Sequence, residues 1–362
     1  MNNWGCILSI IEQSLSILSF LTNSLLIFLV FTSSPKTMGS YKYIMIFTSV
    51  FEMAYGLVHF LIKPEIISKD SYVLEETNSQ KSLIPLSVAR MLLLSYNGSY
   101  AIALINFNIH FIFRYFVMTG NAKRVTGKVI WIWLSIPFLY SIFYSAPTHF
   151  LLHSSESMDR VIKSEVEYLK HLPIEDVVYY AFNFFETTEN STQKSTNWTN
   201  IYGISFMMLS TSFSITIIFA AKGYFEVKKL SSIATSHSSA SKTLQAQLFY
   251  SLVIQTVIPV ILIHFPTTII LINAFFGIGR EVHGHILTVS ICLFPAIDSL
   301  PSMIIIRPYR LAIKSGFSIF FTMILEFVSG VLKYPFRRRS SSIAASNTKY
   351  LSDVTSRVAT NN

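Results

Sequence analysis

Seven apolar runs, at residues 7–31, 44–62, 86–113, 129–150, 201–221, 248–272 and 285–306, set the terms for any fold of this chain. A helix of about 20 mostly apolar residues spans the hydrocarbon core of a bilayer. Inside that core no water satisfies an open strand edge, so separate runs of this length cross as helices. The pattern predicts an all-α membrane protein, a seven-transmembrane helix bundle. Composition agrees: 51% of the residues are hydrophobic and only 13% are charged, against about 25% in a soluble domain. The formal net charge of +9 does not point to nucleic acid, because the basic residues sit between the apolar runs and in the tail.

Those basic residues also predict an orientation. None precedes the first run, and Lys36 and Lys42 follow it closely. Arg114, Lys123, Arg124 and Lys128 follow the third run without an acid between them. Lys222, Lys228, Lys229 and Lys242 follow the fifth in a hydroxyl-rich segment, and Arg307, Arg310 and Lys314 follow the seventh. The positive-inside rule places these segments in the cytoplasm, hence the N-terminus outside and the C-terminus cytoplasmic. The intervening segments 65–85 and 151–200 are of mixed charge or acidic and read as outer loops. Glycosylation sequons at Asn190 and Asn197 fall in the second of these. A third match, at Asn97, lies within an apolar run and is expected to stay unmodified. Cys6 lies near the start of the chain and Cys292 inside an apolar run, so neither a disulfide framework nor a metal spacing is present. No cofactor and no metal are expected.

Two carboxylates lie within apolar runs, Glu52 in the second and Asp298 in the seventh. Each costs about 2.5 to 3.5 kcal/mol at membrane depth and should face the bundle interior. Asp298 lies between Pro295 and Pro301, and the carbonyls that these prolines free must find donors on packed neighbours. Two readings stand: a kinked packing helix with a buried, hydrogen-bonded Asp, or a polar hinge in a signalling bundle. Gln255, Pro259, His264 and Pro266 in the sixth run predict a kinked helix.

Three stretches carry a resemblance. They are Ser34-Pro35-Lys36 with Gly39-Ser40-Tyr41-Lys42, then Phe111-Ile112-Phe113-Arg114-Tyr115, then Pro295-x-x-Asp298 with Leu300-Pro301, Ile306 and Tyr309-Arg310. In this order, on a seven-span frame, the chain resembles the nematode seven-transmembrane serpentine chemoreceptors of the Str class, which are G-protein-coupled receptors. The resemblance covers roughly residues 5 to 314. Phe113 stands where the family usually has Tyr, and Ser299 where Pro usually follows the Asp.

The resemblance implies a chemosensory, olfactory-type receptor, not an enzyme. It would bind a small odorant-like or water-soluble ligand between its helices and activate a heterotrimeric G protein. Candidate ligand-binding residues are Arg90, Tyr96, Asn97, Tyr100, His264 and His285. For each a plainer role stands beside this one: interface packing for the tyrosines, an interhelical hydrogen bond for Asn97, interfacial snorkelling for Arg90. Arg114, Tyr115, Asp298, Tyr309 and Arg310 fall to the signalling side. The bilayer is the obligatory partner, a receptor dimer is left open, and the plasma membrane of a sensory cilium is the family's usual site. A secondary transporter or ligand-gated channel using Glu52 and Asp298 is the alternative. Matching Gly/Pro-broken halves, which a transporter of inverted repeats would have, are not seen.

Residues 1–314 are thus expected to form the receptor domain, with a polar Ser-rich tail at 337–362. Between them, 315–336 is apolar where the family tail is polar. Three readings stand for it: an amphipathic helix on the inner membrane surface, an eighth span that would put Arg337-Arg338-Arg339 outside, against the charge rule, or a retained intron foreign to the native protein.

Overall fold

The structure, a computed structural model, describes residues 3–152, 159, 162–163, 172–187, 194–198, 211–232 and 239–316. Asn190, the first half of the fifth run and nearly all of 315–362 lie outside the described residues. The chain divides into two contact units, residues 1–309 and 310–362. Of the second, residues 310–316 are described and helical, with Ser315 donating to the Ala312 carbonyl at 2.9 Å.

In the first unit the apolar runs form helices: α1 (Asn3–Ser33), α2 (Tyr41–Ile62), α3 (Leu86–Met118), α4 (Ile130–Leu151) and α5 (Thr211–Ser232). The sixth run is covered by α6 (Ser239–Pro259) and α7 (Phe265–Phe275), and the seventh by α8 (Glu281–Ile297) and α9 (Leu300–Ile305). Six helical stretches among the described residues are long and apolar enough to cross a membrane. The fifth run enters the described residues only at Thr211.

Burial sorts the helices by role. Most of α3 is buried and most of α1 and α4 is not. α3 is central, packing against α2, α4, α5 and α6, while α1 packs along α2 and α8. Phe31 on α1 is 73% exposed and Trp131 on α4 71%. Apolar side chains this exposed mark the surface that lipid covers.

The kinks have identifiable causes. Pro259 ends α6 and a π-helical turn at Val260–His264 joins it to α7. A proline lacks the N–H of the regular ladder and crowds the preceding turn, and a wider turn absorbs the misfit. The seventh span breaks at Asp298-Ser299, between α8 and α9. There side chains of neighbouring helices donate to the carbonyls on either side of the break. Asn23 Nδ2 donates to the Pro295 carbonyl at 2.9 Å, Thr22 Oγ1 to Ala296 at 3.0 Å and Gln255 Nε2 to Asp298 at 2.9 Å.

Two expectations from the sequence are corrected. Segments 65–85 and 151–200, read as loops, supply a three-stranded antiparallel sheet with order β1 (Glu65–Lys69), β2 (Tyr72–Asn78), β3 (Val177–Asn183). β2 is central, pairing Leu74 with Ile67 on one side and with Ala181 on the other. The strands are rich in β-branched and aromatic residues, and their polar members Glu76 and Thr77 are fully buried. A short hairpin, β4 (Phe185–Thr187) with β5 (Lys194–Thr196), follows. Segment 222–247, read as a loop, is helical up to Ser232 and again from Ser239.

The sheet is pinned to one end of the bundle. β1 lies on the start of α8, where the Ile66 N–H donates to Thr288 Oγ1 at 3.1 Å and Asp70 and Gly279 exchange backbone hydrogen bonds. A side chain at Gly284 would overlap the Ile66 carbonyl oxygen, so only glycine allows this approach. β3 is tied to the end of α4 by Ala181 N–H donating to the Leu152 carbonyl at 2.9 Å.

Candidate ligand cavity and signalling end

Beneath the sheet lies a cavity of about 130 Å³. The long apolar α3 brings Tyr96, Asn97 and Tyr100 to its wall together, because positions one, three and four apart on a helix share a broad face. α2 adds Tyr55, α4 Tyr144, and the sheet Glu75 and Tyr180. Tyr55 and Tyr96 stack with ring centroids 4.6 Å apart, and Tyr100 lies 6.0 Å from Tyr144. Behind this wall the Tyr96 hydroxyl shares a hydrogen bond of 3.0 Å with His59 Nδ1, and His59 Nε2 lies 3.0 Å from the Cys292 sulfur.

Glu75 is the charged residue of this wall, and sequence reasoning passed over it as one acid among several in an outer loop. Its Oε2 accepts from Asn97 Nδ2. Burial pushes its carboxyl up to about 7, against the smaller, opposite effect of the Asn97 hydrogen bond. Alternation along β2 is the one signal that could have singled it out.

The other candidate ligand residues fall elsewhere. Arg90 is exposed near Tyr180, outside the cavity lining. His285 is half-buried at the start of α8, its Nδ1 3.5 Å from Glu65, which also pairs with Lys81. His264 lines a second cavity of about 230 Å³ between α3, α5 and the π turn, whose other walls include Phe107, Phe111 and Val253. Asn197 is half-buried, its N–H donating to the Phe184 carbonyl at 2.9 Å.

Midway along the bundle Glu52 and Asp298 are 2% and 1% exposed, facing inward, with their carboxyls adjacent to each other and to Asn23. Gln255 Nε2 reaches Asp298 Oδ2 at 3.4 Å, and Ser302 donates to Gln255 Oε1 at 3.3 Å. Among the described residues Glu52 Oε2, Asp298 Oδ1 and Ser299 Oγ have no hydrogen-bond partner. This polar layer is where the seventh span breaks.

At the end opposite the sheet, Arg114 is 1% exposed. Its guanidinium lies 3.3 Å over the Tyr41 ring and Nη1 donates to Gln245 Oε1 at 3.0 Å, while Nε and Nη2 lack partners among the described residues. The Tyr41 hydroxyl shares a 2.8 Å hydrogen bond with His110. Tyr309 is fully buried, its hydroxyl 2.7 Å from Ser34 Oγ and 3.4 Å from Met38 sulfur. Thus the first connecting segment, the end of α3 and Tyr309 converge there, held by side chains from all three resemblance motifs. Tyr115 is half-buried against Phe219, and Arg310 is exposed.

A seven-span helical bundle with a cavity under a capping sheet, a polar break in its seventh span and a buried arginine at the far end defines a membrane receptor of the seven-helix class. The family described as "Serpentine type 7TM GPCR chemoreceptor Str" matches residues 8–314, and the chain belongs to that family. It is 30% identical over 299 residues to the Caenorhabditis elegans protein "G-protein coupled receptor str-217", covering 82% of this chain and 86% of that one. It is 24% identical over 301 residues to the Caenorhabditis briggsae "Serpentine receptor class r-10", covering 81% and 85%. The fold is similar to squid rhodopsin, with a TM-score of 0.60 and 12% identity over 87% of this chain and 81% of that one. The protein is therefore a multi-pass membrane receptor of the G-protein-coupled chemosensory type, and the transporter and channel alternatives are not favoured.

Proposed function

We propose that the protein binds a small environmental ligand in the cavity beneath the sheet and, on binding, releases the opposite end of the bundle to engage a heterotrimeric G protein. The observation that carries this is the convergence of Tyr96, Asn97 and Tyr100 on one cavity, joined through the continuous α3 helix to Arg114. A ligand shifts the receptor only by preferring one of its states. The polar break at Asp298 is the element able to take two arrangements, because the carbonyls of Pro295 and Asp298 take their donors from α1 and α6 side chains. The sheet end then faces outside and the Arg114 end the cytoplasm, as the charge rule requires. The receptor sits in the plasma membrane, in a sensory cilium, and acts by binding rather than by catalysis.

In this account the end that carries Arg114, Tyr115 and Tyr309 docks the G protein. The test is a second-messenger assay in cells supplied with a G protein and challenged with small volatile and water-soluble compounds, with Arg114→Ala alongside the wild type. The expected result is normal surface delivery and lost signalling in the variant. Undiminished signalling by Arg114→Ala, or a response that persists as ion current without G protein, overturns the assignment.

A further inference from the structure

The chemistry of the cavity wall narrows the ligand class, on the reading that this cavity is the ligand site. Six of the lining residues are aromatic: Tyr55, Tyr96, Tyr100, Tyr144, Tyr180 and Phe182. Among the lining residues Glu75 is the one that carries charge, and no Lys, Arg or His accompanies it. We propose that the cavity is an aromatic cage for a small organic cation, an alkylammonium or quaternary ammonium compound, with Glu75 as its counter-ion.

The reasons are electrostatic and geometric. Aromatic rings attract a cation through their negative faces, and such contacts strengthen once water is excluded. A quaternary ammonium has no proton to donate, so a cage of rings with one carboxylate suits it where a set of directed hydrogen-bond donors does not. Asn97 occupies only Oε2 of Glu75, and among the described residues Oε1 has no hydrogen bond. Size agrees: an apolar cavity of roughly 150 Å³ holds a benzene ring, so about 130 Å³ admits a molecule of about five to seven heavy atoms.

The carboxyl's own behaviour gives the proposal a pH signature. Burial holds it at about 7. Above that pH it is charged and attracts a cation; below it, it is neutral and the attraction fades. The other titratable or charged groups around it are the tyrosines of the wall and Arg90 beside Tyr180.

The experiment uses the full chain in lipid nanodiscs and measures direct binding of tetramethylammonium, choline and 3,3-dimethylbutan-1-ol. The last is choline's neutral counterpart in shape, with carbon in place of the ammonium nitrogen. Choline is expected to bind about tenfold or more tightly than the alcohol. Its affinity should fall up to about tenfold per unit as pH drops below 7, and Glu75→Gln should cost about tenfold or more and flatten the pH dependence. Choline's charge is fixed, so the pH effect belongs to the protein. An alcohol that matches choline, no saturable binding of either cation, or an unmoved Glu75→Gln overturns the cage. Leu271→Trp, which fills the cavity, separates the two levels. If the alcohol binds and this variant removes it while choline does not bind, the cavity stands and the cation class falls. If ligands that bind are unaffected by this variant, the cavity itself is the wrong site.

Discussion

At the scale of single residues, the seventh span is held by side chains borrowed from its neighbours. Asn23 is fully buried, and its Nδ2 donates both to Ser19 of its own helix and to the Pro295 carbonyl across the interface. Removing that amide leaves a buried carbonyl unpaired, and the loss exceeds the modest net worth of an ordinary hydrogen bond because the desolvation of the orphan is not repaid. Asn23→Ala should therefore lower stability by about 1 to 3 kcal/mol, seen as a lower melting temperature of the purified receptor in detergent. Thr22→Val is a milder comparison, since Thr22 Oγ1 also bonds within α1 and is less buried. Equal melting temperatures for wild type and Asn23→Ala would mean that the break in the seventh span finds its donors elsewhere.

At the scale of elements, the docking of β1 on α8 rests on a contact that one methyl group blocks. A Cβ at Gly284 would overlap the Ile66 carbonyl oxygen, which belongs to backbone and cannot swing away as a flexible side chain would. Gly284→Ala must push the strand off the helix or distort it, at about 1 to 3 kcal/mol. Because the sheet roofs the cavity, ligand potency should fall with it, while Gly39→Ala, at an open turn with φ 58°, strains only the turn and leaves the cavity alone. Unchanged ligand potency in Gly284→Ala would show that the roof does not depend on this contact.

This sheet is also where sequence reasoning ran short. The helices were legible because apolar length alone fixes a span. The break at Asp298 was legible because two prolines flank an intramembrane carboxylate. The strands were not, because β2 carries two adjacent acids and pairs with β3 about a hundred residues further on, and local composition says nothing about such a partner. Glu75 was lost with the strand that aims it. Tyr96, Asn97 and Tyr100 came together as one helical face suggests, whereas Arg90 and His285 lie outside the lining because position along a helix does not specify which side of a wall a side chain takes.

At the scale of the molecule, the two ends differ in charge as well as in structure. The sheet end mixes Glu65, Asp70, Glu75, Glu76, Glu175 and Asp176 with Lys63, Lys69, Lys81 and Arg90, whereas the connecting segments of the opposite end carry Lys36, Lys42, Lys123, Arg124 and Lys128 without an acid. Near a cytoplasmic leaflet rich in anionic lipid, each basic residue would contribute about 1 kcal/mol of attraction, so the asymmetry predicts one orientation for the bundle. An epitope fused before Met1 should then be stained by antibody on intact cells, and one fused after Asn362 only after permeabilisation. The sequons test the same orientation from the other side of the membrane, because glycan is added only in the lumen that becomes the exterior. Digestion with an N-glycosidase should speed the migration of the wild type, and Asn190→Gln with Asn197→Gln should migrate as the digested protein does. A C-terminal epitope stained on intact cells would invert the bundle. The cavity would then open toward the cytoplasm and Arg114 would lie on the outer side, which leaves no route for an external ligand to reach an internal G protein.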